Sequence, residues 1–499
     1  MKTMLKRGAG ILMPVSSLPS PYGIGTFGKS AYEFADKLVK ARQSFWQVLP
    51  LGPTSYGDSP YQPYSAYAGN PYFIDLVTLK DEGLITEEEL EECYWFDVPE
   101  EVKYDSIYYY RFPILKKAYK RSTHESTEAY KSFCADNEVW LPGYALYMAC
   151  KGLFNGVDWL SWDEDIRLRK PEAVKRYEEE LKDETDYWKF LQYKFYEQWD
   201  KLKKYVNGLG ISIIGDIPIY VALDSADVWN NPELFQLDEK TLLPKEVAGV
   251  PPDAFSDEGQ LWGNPLYDWE KMEKTGFAWW KDRMKASSRL YDAVRIDHFI
   301  GVAQYYSIPY GASDAKGGAW KKGPGKKLTD AMDAAAGETK IIAEDLGIFS
   351  PDVKKLLAET GYPGMKIIEF AFSGDRFNEH LPHCYDPNSV VYGGTHDNET
   401  LVGYFKAERR QWWELQYIAD YLGAAHANEV VDKVFRAAYG SVASVAIFQM
   451  QDVLKLDNWA RMNTPSTVGK NWRWRMTEGQ FGDAEIEYLS KLVDIFGRF

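Results

Sequence analysis

Eight short apolar runs recur along the chain, and their spacing constrains the fold more than any other feature. They are "AGILMPV" (9–15), "SFWQVLPL" (44–51), "GISIIGDIPIYV" (210–221), "LYDAVRIDHF" (290–299), "KIIAEDLG" (340–347), "GMKIIEFAF" (364–372), "SVVYGGTHD" (389–397) and "ASVAIFQMQDVL" (443–454). Turn residues bound each run. Stretches of helical periodicity lie between most of them, as at 30–42 and 351–360. Near-continuous apolar strands alternating with helices make a parallel sheet covered on both faces. Eight such units predict an α/β chain folded as a (β/α)8 TIM barrel.

A barrel of this kind needs ~250 residues, and the chain has 499. We therefore expect one catalytic barrel over 1–499 with large insertions in its βα loops. The largest, residues 70–205, is charged, aromatic and helical in pattern, and reads as a helical subdomain after the second strand. A second insertion covers 223–289. A third stretch, 303–328, carries the Gly/Lys tract "KGGAWKKGPGKK" and reads as a solvated loop.

Composition narrows the partners. The formal net charge is −16, which argues against nucleic acid, because phosphate binding needs a basic face. No apolar run approaches bilayer length, so no membrane is expected. Cys93, Cys134, Cys150 and Cys384 are far apart and form no CxxC pair. That argues against a disulfide scaffold or a structural zinc and fits a reducing cytoplasm. The N-terminal stretch has basic residues before an apolar run, as a signal peptide does. That run is short, carries Gly10 and is broken by Pro14, so it reads as a first core strand. The chain holds 18 Trp, 35 Tyr and 24 Phe, enough for core filling and for exposed platforms against flat sugar faces.

The polar residues at the strand ends suggest a site. The third strand ends with Asp216, the fourth with Arg295 and Asp297, the fifth with Glu344 and Asp345, the seventh with His396 and Asp397. In a (β/α)8 barrel these ends converge on one mouth. Asp345 and Asn398 suit helix N-caps. Carboxylates on three strands, one beside His and one two residues after Arg, favour a site. Clustered carboxylates perform glycosyl transfer, one attacking the anomeric carbon and one, kept protonated, serving the leaving oxygen. A metal site is the competing explanation, but DxDxDG and HExxH are absent and the six His are scattered. His380 and His383 read as structural. No metal or cofactor is expected.

The stretches "RIDHF", "IIAEDLG" and "GGTHDNET" resemble the signature regions of the α-amylase clan. More narrowly, "GDSPYQPYSAYAGNPY" (57–72), "GDIPIYVALDSADVW" (215–229) and "AGVPPDAFSDEGQLWGNPLYDW" (248–269) resemble the 4-α-glucanotransferases of glycoside hydrolase family 77. The likeness runs from "GILMPVSSLPSPYGIGTFG" to "NWRWR". It implies retaining transfer between malto-oligosaccharides, amylose or starch-derived glucans. It also implies Asp297 as nucleophile, Glu344 as general acid/base and Asp397 as transition-state stabiliser. Tyr61, Asp216, Trp262, Arg295, His396 and Asn463 become substrate-binding residues. Arg295 shares a strand face with Asp297, and its cation is expected to hold Asp297 ionised. The loop 249–265, with Pro251-Pro252, Phe255 and Trp262, matches a lid beside the acceptor sites.

Two places depart from the family pattern: Ile300, where Arg is common, and Thr464 with Ser466 in "MNTPST". They bear on subsite contacts. A hydrolase of the same clan is the nearest alternative activity. A non-catalytic glycan-binding protein is another, although it has no need of all three carboxylates. The sequence leaves monomer and homodimer open.

Overall fold

The eight apolar runs form eight parallel strands in the structure, a computed structural model that describes residues 5–95, 98–252, 257–347, 350–406 and 410–499. They are β1 (Gly8–Leu12), β2 (Phe45–Gln47), β3 (Ser212–Pro218), β4 (Ala293–Asp297), β5 (Lys340–Ala343), β6 (Gly364–Ile367), β7 (Ser389–Tyr392) and β8 (Val445–Gln449). Their order in the sheet is β6-β7-β8-β1-β2-β3-β4-β5. Two bonds bring β5 and β6 together. The Ala343 N–H donates to the Pro363 carbonyl at 3.0 Å, and the Met365 N–H to Asp345 Oδ1 at 2.7 Å. Asp345 is therefore a tie across the barrel seam rather than the expected helix cap. The N-cap position of the following helix, Pro351–Thr360, is Ser350.

Every residue of β1, β2, β7 and β8 is buried, which explains why these strands read as unbroken apolar runs. The β3–β4 register sets Asp216 beside Arg295 and Pro218 beside Asp297. A side chain at Gly215 is excluded, because its Cβ would lie 2.2 Å from the Tyr291 ring.

The chain between β2 and β3 is helical, from Leu76–Asp81 to Lys182–Gly208. The last helix buries Phe190, Leu191, Phe195, Trp199, Leu202 and Val206, a 3.6-residue stripe. Phe27 packs on Phe195 and Trp199 at 5.1 and 5.0 Å between ring centroids. This helix leads directly into β3 and fills the crossover position of a βαβ unit.

The stretch 303–328 is not a solvated loop. Gln304–Pro309 and Ala319–Lys322 are strands of an antiparallel sheet with Glu246–Val250 and Gln260–Pro265. Tyr306 pairs with Trp320, their rings edge-on at 5.3 Å. The Gly/Lys tract obscured this sheet because its polar residues belong to exposed edge positions, where strands tolerate Lys. Among the described residues, no helix is long and apolar enough to cross a membrane.

Candidate active site

Arg295 stands at the centre of the mouth, and its side chain is only 4% exposed. One guanidinium nitrogen reaches Asp216 Oδ1 and Oδ2 at 2.8 and 2.6 Å. Another reaches Asp297 Oδ1 at 3.0 Å. Nε donates to Met365 Sδ at 3.4 Å. Asp216 is sealed at 0% exposure, whereas Asp297 keeps 27% of its side chain open to the cleft. Arg295 therefore joins a buried carboxylate to an accessible one.

This geometry corrects the expected electrostatics. Burial pushes the Asp297 carboxyl above the usual carboxylate range, against the lowering pull of Arg295. The arginine charge is already neutralised by Asp216, which itself raises Asp297, as does Asp397. Glu344 is also pushed up, first by burial and then by the charge of Asp297, although Arg295 and the His298 N–H oppose this. Both carboxyls are thus raised, and the direct contact with Arg295 favours the anion more at Asp297 than at Glu344.

The turn after β4 connects the two carboxylates. His298 has φ of +49°, a left-handed conformation uncommon outside glycine. It points the His298 N–H at Glu344 Oε2, 2.5 Å away. The Leu346 N–H binds Oε1 at 3.2 Å. The His298 ring is buried, its Nε2 has no hydrogen-bond partner among the described residues, and burial lowers its pKa to about 4. Trp262 meets this ring edge-on at 4.8 Å, which places it at the same mouth.

A second arm carries Asp397, whose side chain is 44% exposed. Asn463 Nδ2 donates to Asp397 Oδ1 at 2.6 Å, and His396 Nε2 lies 3.4 Å from Oδ2. Burial lowers the His396 pKa, with Asp397 opposing. Tyr61 donates to Asp216 Oδ2 at 2.8 Å and stacks on His396 at 4.9 Å and 18°. Trp472 flanks both rings. Arg461 donates to the Asp397 carbonyl at 2.6 Å. The loop is held from below: Asn398 Nδ2 donates to Glu369 Oε2 at 3.1 Å, and Asn398 Oδ1 accepts from the Thr395 N–H and hydroxyl.

All nine residues singled out in the sequence thus lie in one connected neighbourhood. Sequence reasoning passed over His298, Trp472, Arg461, Met365 and Glu369. Only His298 carried a signal, its place beside Asp297. The lid residues 253–256, including Phe255, lie outside the described residues. Asn264, on the strand Gln260–Pro265 that also carries Trp262, is bonded to Gln62 and to the Val221 carbonyl, which anchors that strand beside Tyr61. Ile300 is buried. Thr464 and Ser466 are exposed in a turn held by Asn471. His380 is structural and accepts from the Ile367 N–H at 3.1 Å.

A TIM barrel whose mouth gathers a buried carboxyl pushed up in pKa, an accessible carboxylate on an arginine and a third carboxylate has the equipment of a glycosidic-bond enzyme. The chain belongs to the 4-alpha-glucanotransferase family, glycoside hydrolase family 77, whose model matches residues 13–480. It is 49% identical to the 4-alpha-glucanotransferase of Clostridium butyricum over 97% of this chain and 100% of that one. It is 48% identical to that of Streptococcus pneumoniae, over 99% of this chain and 98% of the relative. The structure of the Streptococcus agalactiae amylomaltase in complex with acarbose superposes with a TM-score of 0.95 at 40% identity, covering 99% of this chain and 100% of that one.

Proposed function

We propose that the chain is a retaining 4-α-glucanotransferase acting on malto-oligosaccharides, amylose or starch-derived glucans in the cytoplasm. Glu344 gives its proton to the glycosidic oxygen while Asp297 attacks C1, forming a covalent glycosyl-enzyme. The 4-hydroxyl of a second glucan then attacks C1, and Glu344 takes its proton. Two inversions give net retention. Asp397, oriented by Asn463 and His396, stabilises the positive charge that develops at the ring. Asp216 holds Arg295 in place, and Arg295 holds Asp297. The observation that carries this reading is the contrast between Glu344, buried with its carboxyl pushed up, and Asp297, open to the cleft on Arg295.

Transfer competes with water, which is far more concentrated than any sugar acceptor. It prevails when the acceptor is positioned and water is excluded. Trp262 on the loop 249–265 is the proposed acceptor surface. Maltotriose tests both points. The reading expects glucose and longer oligomers with the number of reducing ends conserved. A steady gain of reducing ends identifies a hydrolase instead. Trp262→Ala is expected to slow transfer more than hydrolysis. An unchanged ratio would remove this loop from the account.

A further inference from the structure

The barrel mouth carries aromatic surface that the reaction does not use. Phe377, in the loop after β6, is 81% exposed, and Trp412, which opens the helix Trp412–Leu422 in the connection after β7, is 78% exposed. Trp413 is 45% exposed, and its ring lies over Gly374, 3.5 Å from where a Cβ would stand. The two loops therefore meet through Trp413 and Gly374. Both follow the C-terminal ends of barrel strands, the face on which the site opens.

The backbone beneath this surface is tied down. Asn378 Nδ2 donates to the Phe370 carbonyl at 2.8 Å, and the Phe377 N–H donates to Asp375 Oδ1 at 2.9 Å. His383 bridges the Tyr421 hydroxyl at 2.9 Å and the Arg376 carbonyl at 3.1 Å. Phe372 packs edge-on against Tyr417 and Tyr421. The helix Trp412–Leu422 is thus fastened to the turn 373–378, with Trp413 against Gly374 and Trp412 left largely in solvent. Large aromatic side chains left in water above a well-tied backbone mark a binding surface. Exposed Gln411 and Arg376 border it and offer hydrogen bonds. Flat apolar faces rimmed by amide and guanidinium groups suit a pyranose, which has apolar C–H faces and equatorial hydroxyls.

We propose that Phe377, Trp412 and Trp413 form a second glucan-binding platform, which holds a distant part of an α-1,4-glucan chain whose scissile bond lies at the mouth. The proposal rests on the glucanotransferase reading. It adds a dependence on chain length. A chain long enough to occupy both places gains avidity, because the second contact is intramolecular. Maltotriose is too short to gain it.

The test compares Trp412→Ala and Phe377→Ser, both at exposed positions, with the wild type on long-chain amylose and on maltotriose. The double variant is expected to raise KM for amylose about tenfold, a modest share of the available avidity. Values for maltotriose should stay within about twofold. In native gels containing amylose, an Asp297→Asn protein should be retarded, and adding the two platform substitutions should remove most of that retardation. Equal KM changes on both substrates, or unchanged retardation, would overturn the proposal. So would a wild type that sediments as a dimer and a variant that sediments as a monomer with unaltered amylose binding, because the patch would then be an interface between copies. Failure of the glucanotransferase reading is read separately, as a wild type that does not disproportionate maltotriose. The gel still reports on the platform.

Discussion

Arg295 divides one positive charge between two carboxylates, and that division governs the chemistry around it. Asp216 takes two of its contacts in a sealed environment and Asp297 takes the third. The cation is therefore too far neutralised to draw Asp297 down to an ordinary surface value. The sequence showed the Arg295–Asp297 pair two residues apart, but it could not show Asp216 on the far side, 79 residues away in the chain. The companion of this arrangement is Glu344, raised by burial and by Asp297. A raised carboxyl is protonated below its folded pKa and loses its proton as pH climbs through it, so Glu344 should set the alkaline limb of the rate profile. Glu344→Gln is expected to abolish turnover of maltotriose. Its glycosylation by an α-glucosyl fluoride should survive, because fluoride leaves without a proton. Equal loss on both donors would count against the acid role.

The loop 393–400 rests on an acidic underside. Glu369 accepts from Asn398, which grips Thr395. Asp452 accepts from the Leu401 N–H at 2.7 Å and is 0% exposed. Burial pushes Asp452 up to about 7, so the folded chain keeps a proton that the unfolded chain gives up near ~3.9. The folded state then binds more protons than the unfolded one, and stability falls as pH rises from roughly 4 to 7. Asp452→Asn keeps the acceptor for Leu401 and cannot ionise. Its melting temperature should match the wild type near pH 4 and exceed it by several degrees at pH 8. An equal shift at both pH values would show that this proton is not linked to stability. None of this underside was legible in the sequence, because Glu369 and Asp452 lie inside apolar runs that look like ordinary strand ends. The antiparallel sheet was missed for a related reason: local polarity at 316–327 outweighed the alternation in "QYYSIP". The barrel strands were legible because burial on both faces leaves an apolar run that needs no partner to be recognised.

Across the whole molecule, the ends of the chain close the barrel. Arg498 is 0% exposed and donates to the carbonyls of Tyr439 at 2.7 Å, Gly8 at 3.0 Å and Ala438 at 3.1 Å. It locks the C-terminus across β1 and the approach to β8, on the face opposite the mouth. Arg498→Ala leaves several buried carbonyls unpaired and should cost about 3 kcal/mol of stability, read as a lower urea midpoint. The activity of the folded fraction should be unaltered, and a changed kcat would show that the lock reaches the site. The barrel serves one claim above the others, that a glucosyl chain is carried covalently on Asp297 between donor and acceptor. The direct measurement is to react Glu344→Gln with an α-glucosyl fluoride, quench with acid, and map the protein by mass spectrometry. In that variant the acid/base that releases the intermediate is gone, so the intermediate should accumulate. The account predicts one added glucosyl unit on the peptide that contains Asp297 and none after Asp297→Asn is introduced. A label on the peptide containing Asp397, or fluoride release with no labelled peptide at all, would contradict it.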